Sequence, residues 1–289
     1  MLGLIFGNRP FDFSDFFKLI MNGEIDFSNV NYIDVMKKSV DAGFNHIEIT
    51  GDLPYVLPGV LTPEVINNLA KFKKKEKITY SVHLPLWGIE PAAFSEHIRN
   101  GSVKTLIECI ELTKSLDPIC WVLHPTGALT VEFLHMNLPD FVKEFIAQQF
   151  AAFAEESIKK VLEESNLPPR KIAIENIEFP FEIMYPIIEE HDLSVCFDTG
   201  HLLAGFSGKI DTLDFVNRYI DRFAEIHLHD GSYPRIDHKP LGTHDLPVKE
   251  LLLTLDKQNF SGPLVFELSL QEAIDSMEYI RKNVPEIFD

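Results

Sequence analysis

The sequence predicts an α/β protein, a single (β/α)8 TIM barrel running through residues 1–289. Two observations carry this expectation. Apolar, β-branched runs alternate with amphipathic helical segments from end to end, the pattern of a parallel sheet wrapped by helices. The runs also end repeatedly on an ionisable side chain. YSVHLP ends at His83, CWVLHPTG at His124, KIAIENIE at Glu175, SVCFDTGH at Asp198 and His201, AEIHLHDG at His227 and His229, and LVFELS at Glu267. A barrel keeps its active site at the C-terminal ends of its strands, so such endings in several strands suggest one convergent pocket. The length of 289 residues is close to the roughly 250 of a typical barrel.

Each element has its own signal. The first strand is LGLIFG, followed by a Phe-rich insertion over 11–30. The helix NYIDVMKKSVDAG closes at Gly43, a C-terminal signal. NHIEIT, ending near Glu48, is the second strand. A helix over 63–75 finishes in KFKKKEK, where cations favour the helix dipole. TYSVHLP is the third strand, and a helix over about 102–115 leads to the fourth, CWVLHP. A long helix over 139–164 follows, then the turn NLPPR and the fifth strand, KIAIENI. A helix over 181–190 precedes the sixth strand, LSVCFDTGH, and the helix DTLDFVNRYIDR precedes the seventh, FAEIHLHD. Residues 231–245 read as a long loop, and loops of that length are usually functional or disordered. The helix VKELLLTLDKQ, the eighth strand GPLVFEL and the helix LQEAIDSMEYIRKN complete the chain.

Composition narrows the function. Net charge is −18, from 26 basic and 44 acidic residues. That field repels polyanions, so nucleic acid is an unlikely partner. A small anionic substrate stays open, because a bound metal dominates its local field. The 23 Phe predict an aromatic-rich core. Cys109, Cys120 and Cys196 form no C-x-x-C pair and read as buried reduced thiols. The N-terminus lacks a signal-peptide pattern and no apolar stretch is long enough to span a membrane, so the cytoplasm is the expected location.

Glu175, Asp198, His227 and Glu267 fall at the ends of the fifth to eighth strands. Three carboxylates and an imidazole make a hard, oxygen-rich site suited to Mn2+, Mg2+, Co2+ or Zn2+. Any one alone could be a satisfied polar residue, but burying all four without a partner would be costly. His83 and His124 are each followed closely by Pro and could hold a second metal or a substrate oxyanion; either could also be structural. His201, three residues after Asp198, could be a further ligand or a substrate hydrogen-bond donor, with Gly200 permitting a tight turn. Asn176 reads equally as a support behind the ligands or a strand-end cap. His227 and His229 share one strand face, and Asp230 faces the other way, where it could orient a neighbour. In the loop, Asp237-His238-Lys239 offers a ligand and a cation for phosphate or carboxylate, although such a pair is often only solvated surface. Trp87, Phe179 and Tyr233 are candidate pocket aromatics. His46, His97, His135 and His191 attract no functional reading, and His244 is ambiguous.

The segments IEIT, SVHLP, LHPTG, IAIEN, CFDTGH, EIHLHDG, DHKPLG and FEL, in this order, resemble the xylose isomerase-like barrel superfamily. That superfamily groups sugar and sugar-phosphate isomerases and epimerases with endonuclease IV-type phosphodiesterases. In the first branch the resemblance makes Glu175, Asp198, His227 and Glu267 the ligands of one divalent metal. Glu175 and Glu267 would be the acid/base pair working through an enediolate, and His201 would hold a substrate oxygen. A metal-dependent isomerase or epimerase of a sugar-like or phosphorylated small molecule is therefore the leading expectation. In the second branch His83, His124, His201 and His238 join the ligand set of a three-metal site. The pattern there expects an Asp two residues before His238, and this chain has Ile236. The alternative is a phosphodiesterase acting on a small molecule rather than DNA, for example one that remodels corrinoids, which has similar END-like and DxGHL segments. A barrel that only binds a ligand is a third class. Homo-oligomers are common in such barrels.

Overall fold

The computed structural model describes residues 4–10, 31–57 and 59–288, and the insertion over 11–30 lies outside them. All eight apolar runs form strands of one closed parallel barrel. They are β1 (Ile5–Asn8), β2 (His46–Thr50), β3 (Thr79–His83), β4 (Trp121–Leu123), β5 (Ile172–Glu175), β6 (Ser194–Asp198), β7 (Phe223–His227) and, last, β10 (Pro263–Phe266), which pairs with both β7 and β1. Between β7 and β10 the segment read as a loop folds into an antiparallel hairpin, β8 (Asp230–Ser232) with β9 (Ile236–Lys239).

Helices α1 (Tyr32–Asp41), α2 (Leu53–Val56) and α3 (Pro63–Glu76) flank β2 in sequence. Asn31 and Thr62 cap α1 and α3 by accepting from the amides of Ile33 and Val65. Gly43 follows α1 at φ +100°, as its closing role requires. Helix α4 (Glu96–Thr113) starts earlier than the sequence suggested. The Asn100-Gly101 pair reads as a turn but lies within the helix. Arg99 anchors this first part, donating to the Ala93 and Phe94 carbonyls and to Glu156.

Helix α5 (Ala128–His135) precedes the long α6 (Asp140–Ser165). Beyond β5 come α7 (Phe181–Glu190), α8 (Thr199–Ala204) and α9 (Thr212–Tyr219), and α10 (Val248–Lys257) and α11 (Leu270–Asn283) complete the described helices. Neither α5 nor α8 has a sequence signature of its own. Helix α8 exists because Asp198 caps it, accepting from the His201 amide at 2.6 Å.

The core has two parts, as strand alternation requires. Outward residues such as Ile47, Ile49, Val82 and Phe197 pack under the helices in one large cluster. The expected aromatic enrichment appears there: Phe215 lies 4.8 Å from both Phe181 and Phe197, centroid to centroid. Inside the barrel the apolar filling is small, formed by Cys120, Val122, Ala173 and Cys196. Polar groups occupy the rest of that interior: His46, Glu48, Ser81, Glu225 and His227 are fully buried. The three cysteines are buried and unpaired, as expected. No helix among the described residues is long and apolar enough to cross a membrane.

Helix α11 opens with a complete capping box: Ser269 Oγ accepts from the Glu272 amide, and the Glu272 carboxylate accepts from the Ser269 amide. Ser269→Ala should cost about 1 kcal/mol of stability. Urea unfolding should show a lower midpoint with an unchanged slope, and an unchanged midpoint would remove the box from the forces holding α11.

Candidate metal centre

Strand register brings the predicted ligands to one level. Asp198 on β6 lies directly opposite His227 on β7, and His227 is opposite Val265, two residues before Glu267. Glu175, Asp198, His227 and Glu267 are all buried. Nδ1 of His227 lies 3.3 Å from Glu267 Oε1, 3.5 Å from Glu175 Oε1 and 3.6 Å from Asp198 Oδ2. These separations match the edges of a coordination shell with bonds of about 2.1 Å. The imidazole is oriented for that use. Its Nε2 faces Glu48 Oε2 at 3.2 Å and Glu225 Oε1 at 3.5 Å, which places the proton on Nε2. Nδ1 is left as a buried nitrogen with no hydrogen-bond partner, turned towards three carboxylates. A divalent cation fits this donor set.

Two further clusters adjoin the first. The other oxygen of Glu175, Oε2, meets His124 Nε2 at 2.9 Å and His83 Nε2 at 3.3 Å. His83 Nδ1 donates to the Leu84 carbonyl at 2.9 Å, which turns the lone pair of Nε2 towards Glu175. Across the mouth, Asp237 Oδ2 lies 3.0 Å from His238 Nδ1 and 3.6 Å from His201 Nε2. His201 Nδ1 faces Glu175 Oε1 at 3.2 Å, so this imidazole spans the inner and outer clusters. All three sets could hold a cation by donor type and spacing.

The gap at Ile236 therefore does not empty the third cluster, because the neighbouring Asp237 occupies it. Adjacent strand residues ordinarily face opposite ways. His238 takes φ +48°, which breaks that alternation and lets both side chains reach the mouth.

Several supports were legible only in part. Asn176 is a support: it accepts from the Asp198 amide at 2.7 Å and donates to the Asp198 carbonyl at 2.9 Å. His229 is engaged at both nitrogens, accepting from the His238 amide and donating to Asp198 Oδ2, each at 2.9 Å. It thereby holds Asp198 in place, and with His238 and Glu267 it also forms a group that could hold a cation. Gly200 is needed here for close approach, since a Cβ would overlap the His229 ring. Asp230 orients its own loop, accepting from the amides of Gly231, Thr243, His244 and Leu246. Lys239 is exposed and does not line the cavity. Phe179 is a core residue, and Tyr233 lies over Lys209 beside a neighbouring cavity. Trp87 does line the mouth.

Sequence reading missed Glu48, Glu225 and Arg9. Glu48 sits in the middle of β2 on the same face as His46 and Thr50, and Glu225 sits two residues before His227 on the same face of β7, so strand alternation carried both signals. Arg9 lies just beyond β1, and its guanidinium pairs with Glu267 and stands 3.6 Å from Glu48. It is the one guanidinium among the described residues lining this cavity of about 250 Å³.

Burial opposes charge on each of the inner four, yet opposite charges outweigh it. Glu175 is held well below the carboxylate range by His124 and His227, Glu267 by Arg9 and His227, and Asp198 by His201 and His229. Against the same burial, Asp198 and Glu175 raise His201 to about 9, and Asp237 and Glu267 raise His238 to about 10. Glu48 is different: burial dominates and pushes it up to about 7.

The fold and donor set define a (β/α)8 barrel with a cluster at its C-terminal mouth that could hold a metal ion. A family model described as a xylose isomerase-like TIM barrel matches residues 36–283, and the chain belongs to that family. Over 262 residues it is 23% identical to an uncharacterized protein of Methanocaldococcus jannaschii, covering 86% of this chain and 83% of the relative. A D-tagatose 3-epimerase-like protein shares the fold with a TM-score of 0.72 at 18% identity, over 99% of this chain and 98% of the other. Endonuclease IV from Thermus thermophilus does so with a TM-score of 0.66 at 19% identity, over 88% of this chain and 94% of the other.

The charges at the mouth set the terms for metal binding. A metal needs neutral imidazoles, whereas His201 and His238, raised to about 9 and about 10, are protonated near neutral pH without one. Metal binding should therefore release protons and tighten as pH rises through about 9 to about 10. In calorimetry the Mn2+ or Zn2+ binding enthalpy should vary with the ionisation enthalpy of the buffer; no variation would contradict the protonated state. Glu48→Gln removes the charge behind His227 and should weaken metal binding by roughly 10- to 100-fold. Competition against a chromogenic chelator measures this, and an unchanged affinity would exclude Glu48 as a support.

Proposed function

We propose that this chain is a divalent-metal-dependent phosphoesterase acting on a small molecule, the alternative of the two enzyme expectations. One observation carries the choice: three ligand clusters adjoin, joined by Glu175 and His201. Proton transfer on a sugar carbon needs the inner four residues and leaves His83, His124, Asp237 and His238 without a purpose. Hydrolysis of a phosphoester uses several cations to hold the phosphoryl oxygens and the leaving oxygen together.

The ligands in this reading are Glu175, Asp198, His227 and Glu267 at the centre, His83 and His124 with Glu175 on one side, and His201, Asp237 and His238 on the other. Divalent ions held there would supply Lewis-acid polarisation of a phosphoryl oxygen and of the attacking water. The protein supplies position. Asp52 accepts from the amides of Leu86 and Trp87 at 3.1 and 3.0 Å, fixing the loop that walls the mouth. Arg9 offers a charged donor for an anionic oxygen, in line with its place beside Glu267. Buried walls keep bulk water from the carboxylates, which strengthens each charge interaction. The net charge of −18 favours a small substrate over a nucleic acid.

The isomerase or epimerase reading retains one specific support. Glu175 Oε1 and Glu267 Oε1 converge on the same His227 nitrogen, as an acid/base pair around one substrate carbon would.

Metal content and two activity assays separate the readings. Metal-loaded protein should carry more than one ion per chain by elemental analysis and should hydrolyse bis(p-nitrophenyl) phosphate. Asp237→Ala should lose an ion and cut hydrolysis by roughly 100-fold, the scale for removing one electrostatic element of an active site. One ion per chain, no hydrolysis, and solvent deuterium entering ketohexoses would instead establish the epimerase reading.

A further inference from the structure

The mouth opens sideways into a second cavity of about 520 Å³. The two share Leu86, Trp87, His124 and His201, so a ligand seated on the inner clusters extends directly into it. Together they are within the size range of small-molecule sites. The second cavity differs in chemistry from the first. Its wall is aromatic and aliphatic, formed by Trp87, Val131, Ile177 and Phe206. No Lys or Arg lines it among the described residues, and its charged groups near the rim, Glu178 and Asp237, are acidic.

The wall is held in place. Asp52 fixes the Trp87 amide, and Glu90 accepts from the Leu129 amide at 2.8 Å, which pins the start of α5. Arg235 lies over the Phe206 ring at 5.2 Å, but its guanidinium is committed to Glu178 and His135. A strand of nucleic acid would meet no Lys or Arg among the described residues lining this path, whereas phosphate contacts from Lys and Arg supply most of its affinity. An uncharged ring would meet large apolar faces.

We propose that this cavity is the subsite for an uncharged aromatic or heteroaromatic group of a small phosphoester, laid against Trp87 and the Val131–Ile177–Phe206 wall while the phosphoryl group sits at the metal ligands. The proposal rests on the phosphoesterase reading for its anionic half, and on the cavity alone for its ring half.

Trp87 is 57% exposed and the other tryptophan, Trp121, is 3% exposed, so fluorescence changes on ligand binding report Trp87. Metal-loaded protein is titrated with methyl phosphate, 1-naphthyl phosphate and 1-naphthalenemethanol, followed by fluorescence and calorimetry. The naphthyl ester should quench Trp87 and bind about tenfold more tightly than the methyl ester, the gain expected of one buried aromatic contact. Trp87→Ala and Val131→Asp should each reduce that preference by calorimetry, and Val131→Asp should leave methyl phosphate affinity unchanged. Equal affinity for the two esters, or a preference that survives both substitutions, would overturn the subsite. Quenching by the naphthyl alcohol with no binding of either ester would uphold the subsite and overturn the phosphoesterase reading. Absence of binding by all three probes would overturn the subsite.

Discussion

The structure of the mouth depends on one constraint: five carboxylates, Glu48, Glu175, Asp198, Glu225 and Glu267, are buried inside a barrel. Buried charges persist only when paired. Here the partners are imidazoles and one guanidinium, and His227 is central because it faces carboxylates with both nitrogens. Glu48 and Glu225 hold Nε2, and Glu175, Asp198 and Glu267 surround Nδ1. The polar chain continues down the barrel, where Glu225 also reaches His46 at 3.6 Å and His46 bonds Thr79 and Ser81. The apolar filling of the interior is accordingly small, since little room remains for Leu or Phe among these groups.

The inner ligands were legible because strand geometry is regular. A strand end at a barrel mouth projects its side chain to a predictable place, so Glu175, Asp198, His227 and Glu267 could be grouped from their positions alone. Glu48 and Glu225 share the inward face of their strands but each sits two residues before the strand end, deeper in the barrel. Both lie within quoted segments, IEIT and EIHLHDG, but a carboxylate behind an imidazole becomes visible only when the strands close. His229 shows the converse. Period 2 placed it on the ligand face correctly, but only three dimensions reveal that Asp198 and the His238 amide take up both its nitrogens.

Irregular backbone was the part that sequence could not supply. Helix α8 is short, and its cap, Asp198, also belongs to the ligand set, so the segment read as a strand end followed by a turn. The β8–β9 hairpin contains His238 at a positive φ, and no residue type there announces it; His is only modestly favoured in that region. Ile236 therefore looked like a missing ligand. The carboxylate of the next residue, Asp237, faces the mouth instead, beside His238 and His201.

The two kinds of ligand differ in their supports. The inner four stand at the ends of barrel strands tied on both sides by parallel neighbours, and their spacing cannot change without opening the barrel. Asp237 and His238 stand on a two-stranded hairpin, whose attachments include side-chain contacts: Arg235 to Glu178, the His238 amide to His229, and His238 Nε2 to Glu267 at 3.1 Å. The Arg235 amide also donates to the Ala204 carbonyl at 3.0 Å; a short hairpin is a weak scaffold alone, so these contacts together hold the third cluster in place. The same hairpin borders the apolar cavity through Asp237. Changes there can alter both the outer ligand set and the space for a substrate while the inner set stays fixed. The barrel thus fixes the inner cluster on rigid strands and carries Asp237 and His238 on the hairpin.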